Sequence, residues 1–488
     1  MTKMTKQEYL QHIDEVIANG KYKDNWDSMK NMQIPEWYRN AKFGLFIHWG
    51  LYSVPAFNNE WYSRLMYVEG TPEYEHHIKT YGAHKDFGYK DFIPMFKAEK
   101  FNAEEWLELF ERSGAKYIMP VAEHHDGFQM YKSDYSRFNA AEMGPCRDII
   151  AELKAASKKH NIKFCTSSHR IEHWWFFWHG TQYESDVGKD LTPDDFYWAA
   201  QQEYDHYDLY CPGPSREYIE DWLVRCCELV DKYQPSVLYF DWWIQIKAMK
   251  PWLKKFAAYY YNRGLEWGKP VVINYKHDAF AYGTAVLDVE RGQFASMRQN
   301  YWQTCTSAAH NSWCYTNQNN WKSSRAIIQD LIDIVSKNGS LLLNIGPKAS
   351  GEIAEEEVKI LNEIGSWLRV NGEAIYGTSC FRTFGEGSFQ IKEGHFTDGE
   401  EKKFTSEDIR FTQNGSIVYA SVLDYPEDGV VKIKTLAEHS PDFFGIIKDI
   451  KILGFDEKPE YVRHKGALTI KTNNVKSEYP VVFKIFID

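Results

Sequence analysis

The stretch "SVLYFDWW" at residues 236–243 decides the fold, because a fully apolar run ends abruptly in a carboxylate and two tryptophans. Such a run predicts a buried β-strand with polar groups at its carboxyl end. Runs of the same form recur at "FGLFIHWG" (43–50), "YIMPVAEHH" (117–125), "KFCTSSHR" (163–170), "VVINYKH" (271–277), "AVLDVERG" (285–292), "SWCYT" (312–316) and "SLLLNIGP" (340–347). These eight runs together predict eight β-strands.

Helical patterns separate many of these runs and predict parallel strand pairing. "NAEEWLELFERSG" (102–114) begins at Asn102, a residue type that caps helices, and stops at Gly114. Further helices are predicted at "CRDIIAELKAASKKHN" (146–161), "REYIEDWLVRCCELVDKYQP" (216–235) and "SSRAIIQDLIDIVSKNG" (323–339). The alternation predicts an α/β fold, a (β/α)₈ barrel. An open doubly wound sheet is the alternative, although no glycine-rich phosphate turn follows an early strand.

The pattern changes after about residue 375, where short β-rich segments follow one another without helices. They are "GSIVYASVLDY" (415–425), "VVKIKTL" (430–436), "IKDIKILGF" (447–455), "GALTIKT" (466–472) and "YPVVFKIFID" (479–488). Apolar and polar residues alternate in "VKIKT" and "LTIKT", as in half-buried strands. We therefore predict a catalytic barrel over residues 1–375 and a C-terminal antiparallel β-sandwich over residues 376–488.

Composition narrows the class of ligand. The net charge of −11 and the isoelectric point near 5.9 argue against nucleic-acid binding, which needs a basic surface. The 16% aromatic content fits either a large aromatic core or a carbohydrate site. No stretch approaches a membrane span, and the N-terminal "MTKMTKQEYLQHIDEVIANG" has no apolar signal region. A cytoplasmic protein is predicted, or a secreted or periplasmic one if an export signal has already been removed.

Active sites of (β/α)₈ enzymes lie at the carboxyl ends of the strands. Ionisable and polar side chains converge there in this sequence: His48, His124, His125, His169, Asp241, Lys276, His277, Glu290, Tyr315 and Asn344. A single strand-end histidine is commonly a hydrogen-bonded structural residue. The convergence of many such groups is what indicates a functional site.

Two carboxylates stand out among these side chains. Asp241 ends an apolar strand beside two indoles, where an unpaired carboxylate is costly. Glu290 lies two strands further round the barrel and can point into the same mouth, whereas Asp288 would lie deeper on the same face. The structural alternatives are a loop-capping role for Asp241 and an ion pair of Glu290 with Arg291. A facing carboxylate pair is what glycoside hydrolysis requires.

A metal site is the rival explanation for the histidines. Barrel zinc hydrolases use ligands such as His-x-His, which point to one face of a strand, whereas His124 and His125 are adjacent. No HExxH motif is present. We therefore predict no metal and no other cofactor. The histidines are expected to hydrogen-bond ligand hydroxyls, provided that a turn lets both of the adjacent rings reach the pocket.

Several motifs resemble the α-L-fucosidases of glycoside hydrolase family 29. They are "FGLFIHWGLYSVPAFNNEWY", "AEHHDGFQMYKSDYSRFNA", "VLYFDWW", "WQTCTSAAHNSWCYT" and "LLLNIGPKASGEI", which occur in the same order as in that family. The resemblance implies a barrel followed by a β-sandwich. It also implies hydrolysis of terminal α-L-fucose with retention, through a glycosyl-enzyme intermediate and without metal.

The resemblance assigns roles by motif. The aspartate of "LYFD", Asp241, is implied to be the nucleophile, and the glutamate of "DVERG", Glu290, the acid/base. The implied substrate-binding set is His48, Glu60, Trp61, His124, His125, His169, Trp243, Lys276 and Trp302. Many relatives have tyrosines where this chain has Ser167, Ser168 and His169, and an arginine where it has Lys276.

The prediction from the sequence is a retaining, exo-acting α-L-fucosidase that acts on fucosylated oligosaccharides or glycoconjugates. Two alternatives stay open, a hydrolase of a related galactoside or arabinoside and a non-catalytic fucose-binding protein. The presence of both Asp241 and Glu290 favours an enzyme over a binder. The linkage preference and the oligomeric state are not specified by these motifs.

Overall fold

The computed structural model describes residues 4–399 and 401–488. Eight parallel strands in this part of the chain form a closed barrel, as predicted. They are β1 Phe43–Ile47, β2 Tyr117–Glu123, β3 in two segments (Lys163–Phe164 and Thr166–Ser168), β4 Val237–Phe240, β5 Val272–Tyr275, β6 Val286–Glu290, β7 Trp302–Ser307 and β8 Gly339–Ile345. β1 pairs with both β2 and β8, with Leu45 opposite Ile118 and Phe43 opposite Leu341, so the sheet has no free edge.

Helices surround most of the barrel. They are α1 Lys6–Asn19, α2 Trp26–Met29, α3 Glu36–Ala41, α4 Tyr62–Leu65, α5 Pro72–Tyr81, α6 Ala103–Arg112, α7 Ile149–Lys159, α8 His173–Phe176, α9 Arg216–Tyr233, α10 Lys250–Glu266, α11 Ser324–Ser336 and α12 Glu355–Asn371. Asn102 caps α6 as predicted, since its side chain accepts hydrogen bonds from the amides of Glu104 and Glu105. In the described chain, loops without an α-helix join β5 to β6 and β6 to β7.

The predicted seventh strand at residues 312–316 is wrong. The strand that pairs with β6 and β8 is β7, and residues 312–316 form a loop. β7 escaped detection because its inward side chains are polar and satisfied inside the barrel. Gln303 accepts hydrogen bonds from the hydroxyls of Tyr38 and Tyr117 and donates one to Asp288. An apolar-run criterion therefore passes over this strand.

The C-terminal part is an antiparallel β-sandwich, as predicted. Its strands are β9 Ser379–Glu386, β10 Ile409–Asn414, β11 Ile417–Val422, β12 Val430–Ile433, β13 Ile447–Ile452, β14 Glu460–Arg463, β15 Leu468–Lys471 and β16 Val481–Ile487. One sheet has the order β9-β10-β11-β16-β13 and the other β12-β15-β14. Phe411 and Phe483 of the first sheet share one apolar core with Ile433 and Ile470 of the second.

The last barrel helix, α12, ends at Asn371, before the predicted boundary at 375/376, and the first strand of the sandwich, β9, begins at Ser379, after it. One segment then returns to the barrel. Glu393 forms a β-bridge with Gln293, and the Phe396 amide donates a hydrogen bond to the Glu290 carbonyl (2.9 Å). The C-terminal part of the chain therefore contributes to the barrel mouth. Among the helices of the described residues, none has the length and apolarity of a membrane span.

Candidate active site

A cavity of about 620 Å³ opens at the carboxyl ends of the barrel strands. Its walls come from strand ends, from the loops at residues 59–61, 203–207 and 310–313, and from residues 395–396 of the C-terminal part. Residues at or just after the carboxyl ends of β1 to β6 line this shared space, which is the arrangement that the barrel topology predicts.

Four histidines form one side of the cavity, and we call this set the histidine floor: His48, His124, His125 and His169. The ring centroid of His124 lies 5.5 Å from that of His48, 4.1 Å from that of His125 and 4.9 Å from that of His169. β2 ends at Glu123, and the next two residues begin a turn closed by a hydrogen bond from the Gly127 amide to the His124 carbonyl, so that both histidines line the cavity. The prediction that both histidines reach the pocket required a turn at this point, and the structure has one.

The residues around the floor hold the rings in place. His48 Nδ1 lies 2.7 Å from Asn344 Oδ1, and His125 Nδ1 lies 3.2 Å from the His169 carbonyl oxygen. Beneath the floor, Glu123 forms ion pairs with Arg170 and Arg225, each with a nitrogen–oxygen distance of 3.2 Å. The glutamate of "EHHDGF" is therefore an anchor for the turn and does not line the cavity.

Burial keeps three of the four floor rings neutral. It lowers the pKa of His48 and His124 well below the usual value, and neighbouring histidines add to the effect. The pKa of His125 falls to about 3, again mainly through burial. A neutral imidazole can both donate and accept a hydrogen bond, which suits the hydroxyl groups of a sugar.

Two groups of three side chains have the spacing of metal ligands: His48, His124 and His169, and His125, His169 and Asp241. His169 belongs to both groups. Its Nδ1 already lies 2.9 Å from Asp241 Oδ2, and its Nε2 lies 2.9 Å from Ser167 Oγ. Both ring nitrogens therefore have hydrogen-bond partners, so the donor set is a poor fit to a metal ion.

Asp241 follows β4 directly and projects into the cavity. Its Oδ2 accepts a hydrogen bond from His169 Nδ1 and lies 3.6 Å from His125 Nε2. Its Oδ1 has no hydrogen-bond partner within the described chain. Burial opposes ionisation, but His169 and Lys276 hold the pKa of Asp241 well below its usual range. The carboxylate is therefore charged and has one oxygen free to react.

Glu290 is the last residue of β6 and lines the same cavity as Asp241. Its Oε2 accepts hydrogen bonds from Lys276 Nζ (2.6 Å) and Trp242 Nε1 (2.5 Å). Burial raises the pKa of Glu290, and the charge of Asp241 adds to this, although Lys276 opposes both. The structural alternative for Glu290, an ion pair with Arg291, is not formed, because that guanidinium binds the carbonyls of Ala309 and Ser312.

Lys276 lies behind the two carboxylates and joins them. Its ammonium is 2.6 Å from Glu290 Oε2 and 3.9 Å from Asp241 Oδ1, so those two oxygens lie no further apart than the sum of these distances. The carboxyl groups of retaining glycosidases lie about 5–5.5 Å apart, which is within this limit. Those of inverting glycosidases lie about 6.5–9.5 Å apart, so the limit allows only the shortest of the inverting distances. Asp288, 3.2 Å from the same ammonium, lies deeper, as strand alternation predicts.

The substrate-contact prediction for Lys276 is corrected by this position. Its side chain is fully buried and contacts the acids rather than lining the cavity. Although burial disfavours the charge, contacts with Cys305 and Glu290 raise the pKa of Lys276 above its usual value. The residue therefore supplies a fixed positive charge to the pair.

The backbone turns sharply just after three of these side chains. Trp243, His277 and Arg291 have φ values of +69°, +50° and +44°, in the left-handed region that non-glycine residues rarely adopt. They follow Asp241, Lys276 and Glu290 within two residues. Left-handed residues of this kind concentrate at functional sites, where the surrounding structure compensates for their cost.

Four predicted substrate-binding residues remain, and three of them, Glu60, Trp61 and Trp243, line the cavity. Glu60 Oε2 also accepts a hydrogen bond of 3.0 Å from the Trp313 amide, which holds the 310–313 loop at the site.

Trp302 does not line the cavity, so its predicted role is corrected. It begins β7, at the opposite end of the barrel, and is 1% exposed. Its indole packs against Phe294 (4.8 Å between centroids) and donates to the Lys337 carbonyl. The motif match identified this segment as part of the family pattern but did not show at which end of a strand the side chain lies.

The sequence reasoning missed two cavity acids, Glu172 and Glu203, and most of one wall. Glu172 lines the cavity, 3.6 Å from His125 Nδ1, and burial, with the nearby carboxylates Asp241 and Glu290, raises its pKa well above the usual value. A signal for it exists in "HRIEHWW", three residues after His169. This wall is aromatic, and only His277 and the indole next to Asp241 had been noted from the sequence. We call it the aromatic rim: His206, Tyr207, Trp242, His277, His395 and Phe396.

The aromatic rim adjoins Glu290. The ring of Trp242, which donates to that carboxylate, lies 4.3 Å from His277, 4.8 Å from His395 and 5.9 Å from Phe396, centroid to centroid. The Glu290 amide donates to His395 Nδ1 (2.9 Å). His395 and Phe396 come from the C-terminal part, so no barrel motif could have indicated them.

Residues 9–373 match the sequence profile of the α-L-fucosidases, and residues 401–485 match that of the α-L-fucosidase C-terminal domain. The chain belongs to the α-L-fucosidase family. It is therefore a glycoside hydrolase, and the predicted family resemblance is confirmed.

Individual relatives agree over most of the chain. Tissue α-L-fucosidase of Rattus norvegicus is 30% identical over 426 residues, which cover 86% of this chain and 82% of the relative. The human tissue α-L-fucosidase is 29% identical, covering 93% of this chain and 92% of its own length. The α-fucosidase of Thermotoga maritima in complex with fucose superposes with a TM-score of 0.74 at 27% identity, covering 95% of this chain and all of that one.

Proposed function

We propose that this fucosidase removes terminal α-L-fucose from fucosylated glycans with retention, with Asp241 as nucleophile and Glu290 as acid and base. The observation that carries the proposal is the different environment of the two carboxyls. Asp241 has a lowered pKa and one oxygen, Oδ1, without a hydrogen-bond partner in the described chain. Glu290 has a raised pKa, and the two groups that donate hydrogen bonds to it, from Trp242 and Lys276, both bind Oε2. One group is thus prepared to attack and the other to carry a proton.

In the first step, Asp241 Oδ1 attacks the anomeric carbon and the bond to the leaving oxygen breaks. Glu290 transfers its proton to that oxygen, so the aglycone departs as a neutral alcohol. A covalent fucosyl ester of Asp241 results. Lys276 stays between the two acids and compensates the negative charge that moves from Asp241 to Glu290 as the step proceeds.

In the second step, Glu290 accepts a proton from water while that water attacks the same anomeric carbon. The ester bond breaks, Asp241 regains its charge, and fucose leaves with the anomeric configuration of the substrate. Each carboxyl ends the cycle in its starting protonation state. The spacing allowed by the shared Lys276 contact is compatible with this direct attack.

The histidine floor is proposed to bind the fucose hydroxyls. Its rings are neutral or bonded to Asp241, and His124 Nδ1 has no hydrogen-bond partner among the described residues. Phe46 and Trp61 also line the cavity and offer apolar surface to the methyl group of fucose. The net charge of −11 further supports a glycan as the ligand rather than a nucleic acid.

The test is hydrolysis of 4-nitrophenyl α-L-fucoside, with the first-formed anomer identified by NMR. We expect release of α-L-fucose. Asp241→Gly should lower kcat by about 10⁴-fold or more, and added azide should restore turnover as a fucosyl azide. Turnover of a galactoside or arabinoside in a nitrophenyl panel, with none of the fucoside, would contradict the proposed glycone. Near wild-type turnover by Asp241→Gly would contradict the nucleophile.

A further inference from the structure

A second cavity of about 430 Å³, which we call the side groove, adjoins the active site. The two share His206, Tyr207 and His277, and the side groove then extends past Tyr210, Gln245 and Lys247. Nothing in the double-displacement mechanism above uses this space. Its position next to the catalytic cavity raises the question of what part of the substrate reaches it.

The side groove begins on the side of the cavity where Glu290 lies. Trp242 donates a hydrogen bond to Glu290 and packs against His277. The rings then continue outward: the centroid of His206 lies 5.7 Å from that of His277 and 5.2 Å from that of Tyr207. An acid that protonates the leaving oxygen must stand beside it. The leaving group therefore emerges on this side, over the rings that continue into the side groove.

Two tyrosines of the side groove are unusually exposed. Tyr207 is 81% and Tyr210 79% exposed, only three residues apart on one loop. The loop is ordered by its own turns, in which Asp205 and Asp208 accept hydrogen bonds from the Tyr207 and Tyr210 amides. Exposed aromatic surface that is held in place beside a cavity marks a binding surface.

A buried amide gives independent support. Gln245 is 5% exposed and lines the side groove, yet neither its amide nitrogen nor its oxygen has a hydrogen-bond partner in the described chain. An unsatisfied buried amide costs free energy and needs an explanation. A ligand that presents both donors and acceptors, as sugar hydroxyls do, would satisfy it.

Three observations agree: the leaving group emerges towards the side groove, two exposed tyrosines line it, and a buried amide there lacks a partner in the described chain. We therefore propose that the side groove binds the leaving saccharide of a fucosylated oligosaccharide. The sugar rings next to fucose would stack their C–H faces on Tyr207 and Tyr210, and their hydroxyls would reach Gln245. Lys247, whose ammonium lies 5.7 Å from the Tyr210 ring centroid, adds a further donor. The inference rests on the proposed fucosidase activity and adds where the part of the glycan beyond fucose is bound.

The experiment compares kcat/KM on fucosylated oligosaccharides with kcat/KM on 4-nitrophenyl α-L-fucoside, whose small aglycone does not reach the far end of the side groove. Four oligosaccharides with α1,2, α1,3, α1,4 and α1,6 linkages are used. For the best of them, the ratio of the two constants should fall about tenfold in Tyr210→Ala, which corresponds to about 1.4 kcal/mol of binding free energy. Gln245→Leu, of similar volume, should lower the same ratio about fivefold.

Two variants serve as matched controls. Tyr210→Phe keeps the ring and should retain the wild-type ratio, and Phe444→Ala removes a ring that is 74% exposed in the C-terminal part, away from both cavities. Thermal unfolding of each variant separates misfolding from lost binding. An unchanged ratio in both Tyr210→Ala and Gln245→Leu would overturn the inference while leaving the fucosidase activity intact. The same holds if the wild type cleaves the aryl fucoside but no oligosaccharide, whereas no cleavage of any fucoside would contradict the proposed function itself.

Discussion

The histidine floor and the aromatic rim line the same cavity but differ in their origin in the chain and in their exposure to solvent. The floor is built from the first residues after three barrel strands, and its rings are at most 4% exposed. The rim is built from loops and from the C-terminal part, and Tyr207 and Phe396 are 81% and 61% exposed. The difference indicates that the floor fixes which sugar is held, while the rim meets what is attached to it.

The two acids divide in the same way. Asp241 belongs to the floor through its hydrogen bond with His169, and Glu290 belongs to the rim through Trp242 and His395. Changes to the floor should therefore affect all fucosides alike, whereas changes to the rim should depend on the leaving group. The predictions below test this division in order of expected effect.

Among the variants that test this division, the largest effect is expected for Glu290→Ala. Without its proton donor, kcat/KM on fucosylated oligosaccharides should fall by about 10³-fold, but much less on aryl fucosides, whose leaving groups need no proton. The pH profile should lose its alkaline limb, because that limb reports deprotonation of Glu290, whose pKa burial raises. Steady-state kinetics on paired substrates measures both effects.

Glu172→Ala is the matched control for Glu290→Ala, since Glu172 is another cavity glutamate with a raised pKa. It contacts His125 of the histidine floor, so its loss should lower both classes of substrate by the same factor. If the loss depended on the leaving group in Glu172→Ala but not in Glu290→Ala, Glu172 rather than Glu290 would be the acid. That result would contradict the present account.

A smaller effect, about 100-fold in kcat, is expected for Lys276→Met, which removes the charge shared by the floor and rim acids. Lys276 lowers the pKa of both Asp241 and Glu290, so both pKa values should rise without it. Activity should then disappear at a higher pH on the acidic side and persist to a higher pH on the alkaline side, by about one unit each. Unmoved limbs in a folded variant would show that Lys276 is only a packing residue.

The smallest effects come from single rings on the two sides. His124→Phe removes a hydrogen-bonding ring from the floor and should lower kcat/KM about tenfold on every fucoside. Phe396→Ala removes exposed rim surface and should cost about threefold on oligosaccharides, with less change on the aryl fucoside. Equal substrate dependence in the two variants would remove the distinction between floor and rim.

The sequence predicted the floor because barrel topology alone brings strand ends together. His48, His124, His125, His169, Asp241 and Glu290 each lie at or just after a strand that an apolar run identifies. No long-range information is needed to place such residues at one mouth. The family motifs added roles to positions that the strand pattern had already selected.

The rim could not be predicted in this way, because loop paths depend on tertiary contacts. His395 lies in "KEGHFTDG", which has neither strand nor helix periodicity and follows the predicted domain boundary. Its place beside Glu290 depends on the return of residues 393–396 to the barrel. Trp302 shows the converse error, since a correctly matched motif carried a side chain at the wrong end of its strand.

Lys276 was located correctly but interpreted incorrectly, for a physical reason. A strand-end lysine was expected to reach the cavity, yet three carboxylates, Asp241, Asp288 and Glu290, lie within 3.9 Å of its ammonium. The contacts of these acids with the ammonium outweigh the desolvation of a buried cation. Predicting this needs the depth of each side chain in the barrel, which strand spacing alone does not give.

The central claim is that Asp241 forms the covalent bond to fucose. The most direct measurement is mass mapping of peptides after incubation with 2-deoxy-2-fluoro-α-L-fucosyl fluoride, which slows breakdown of a glycosyl ester. We predict one added fluorofucosyl group, on the peptide that contains Asp241, and no labelling of the Asp241→Gly variant. A label on Glu290 or Glu172, or turnover through inversion with no labelled enzyme, would contradict the account.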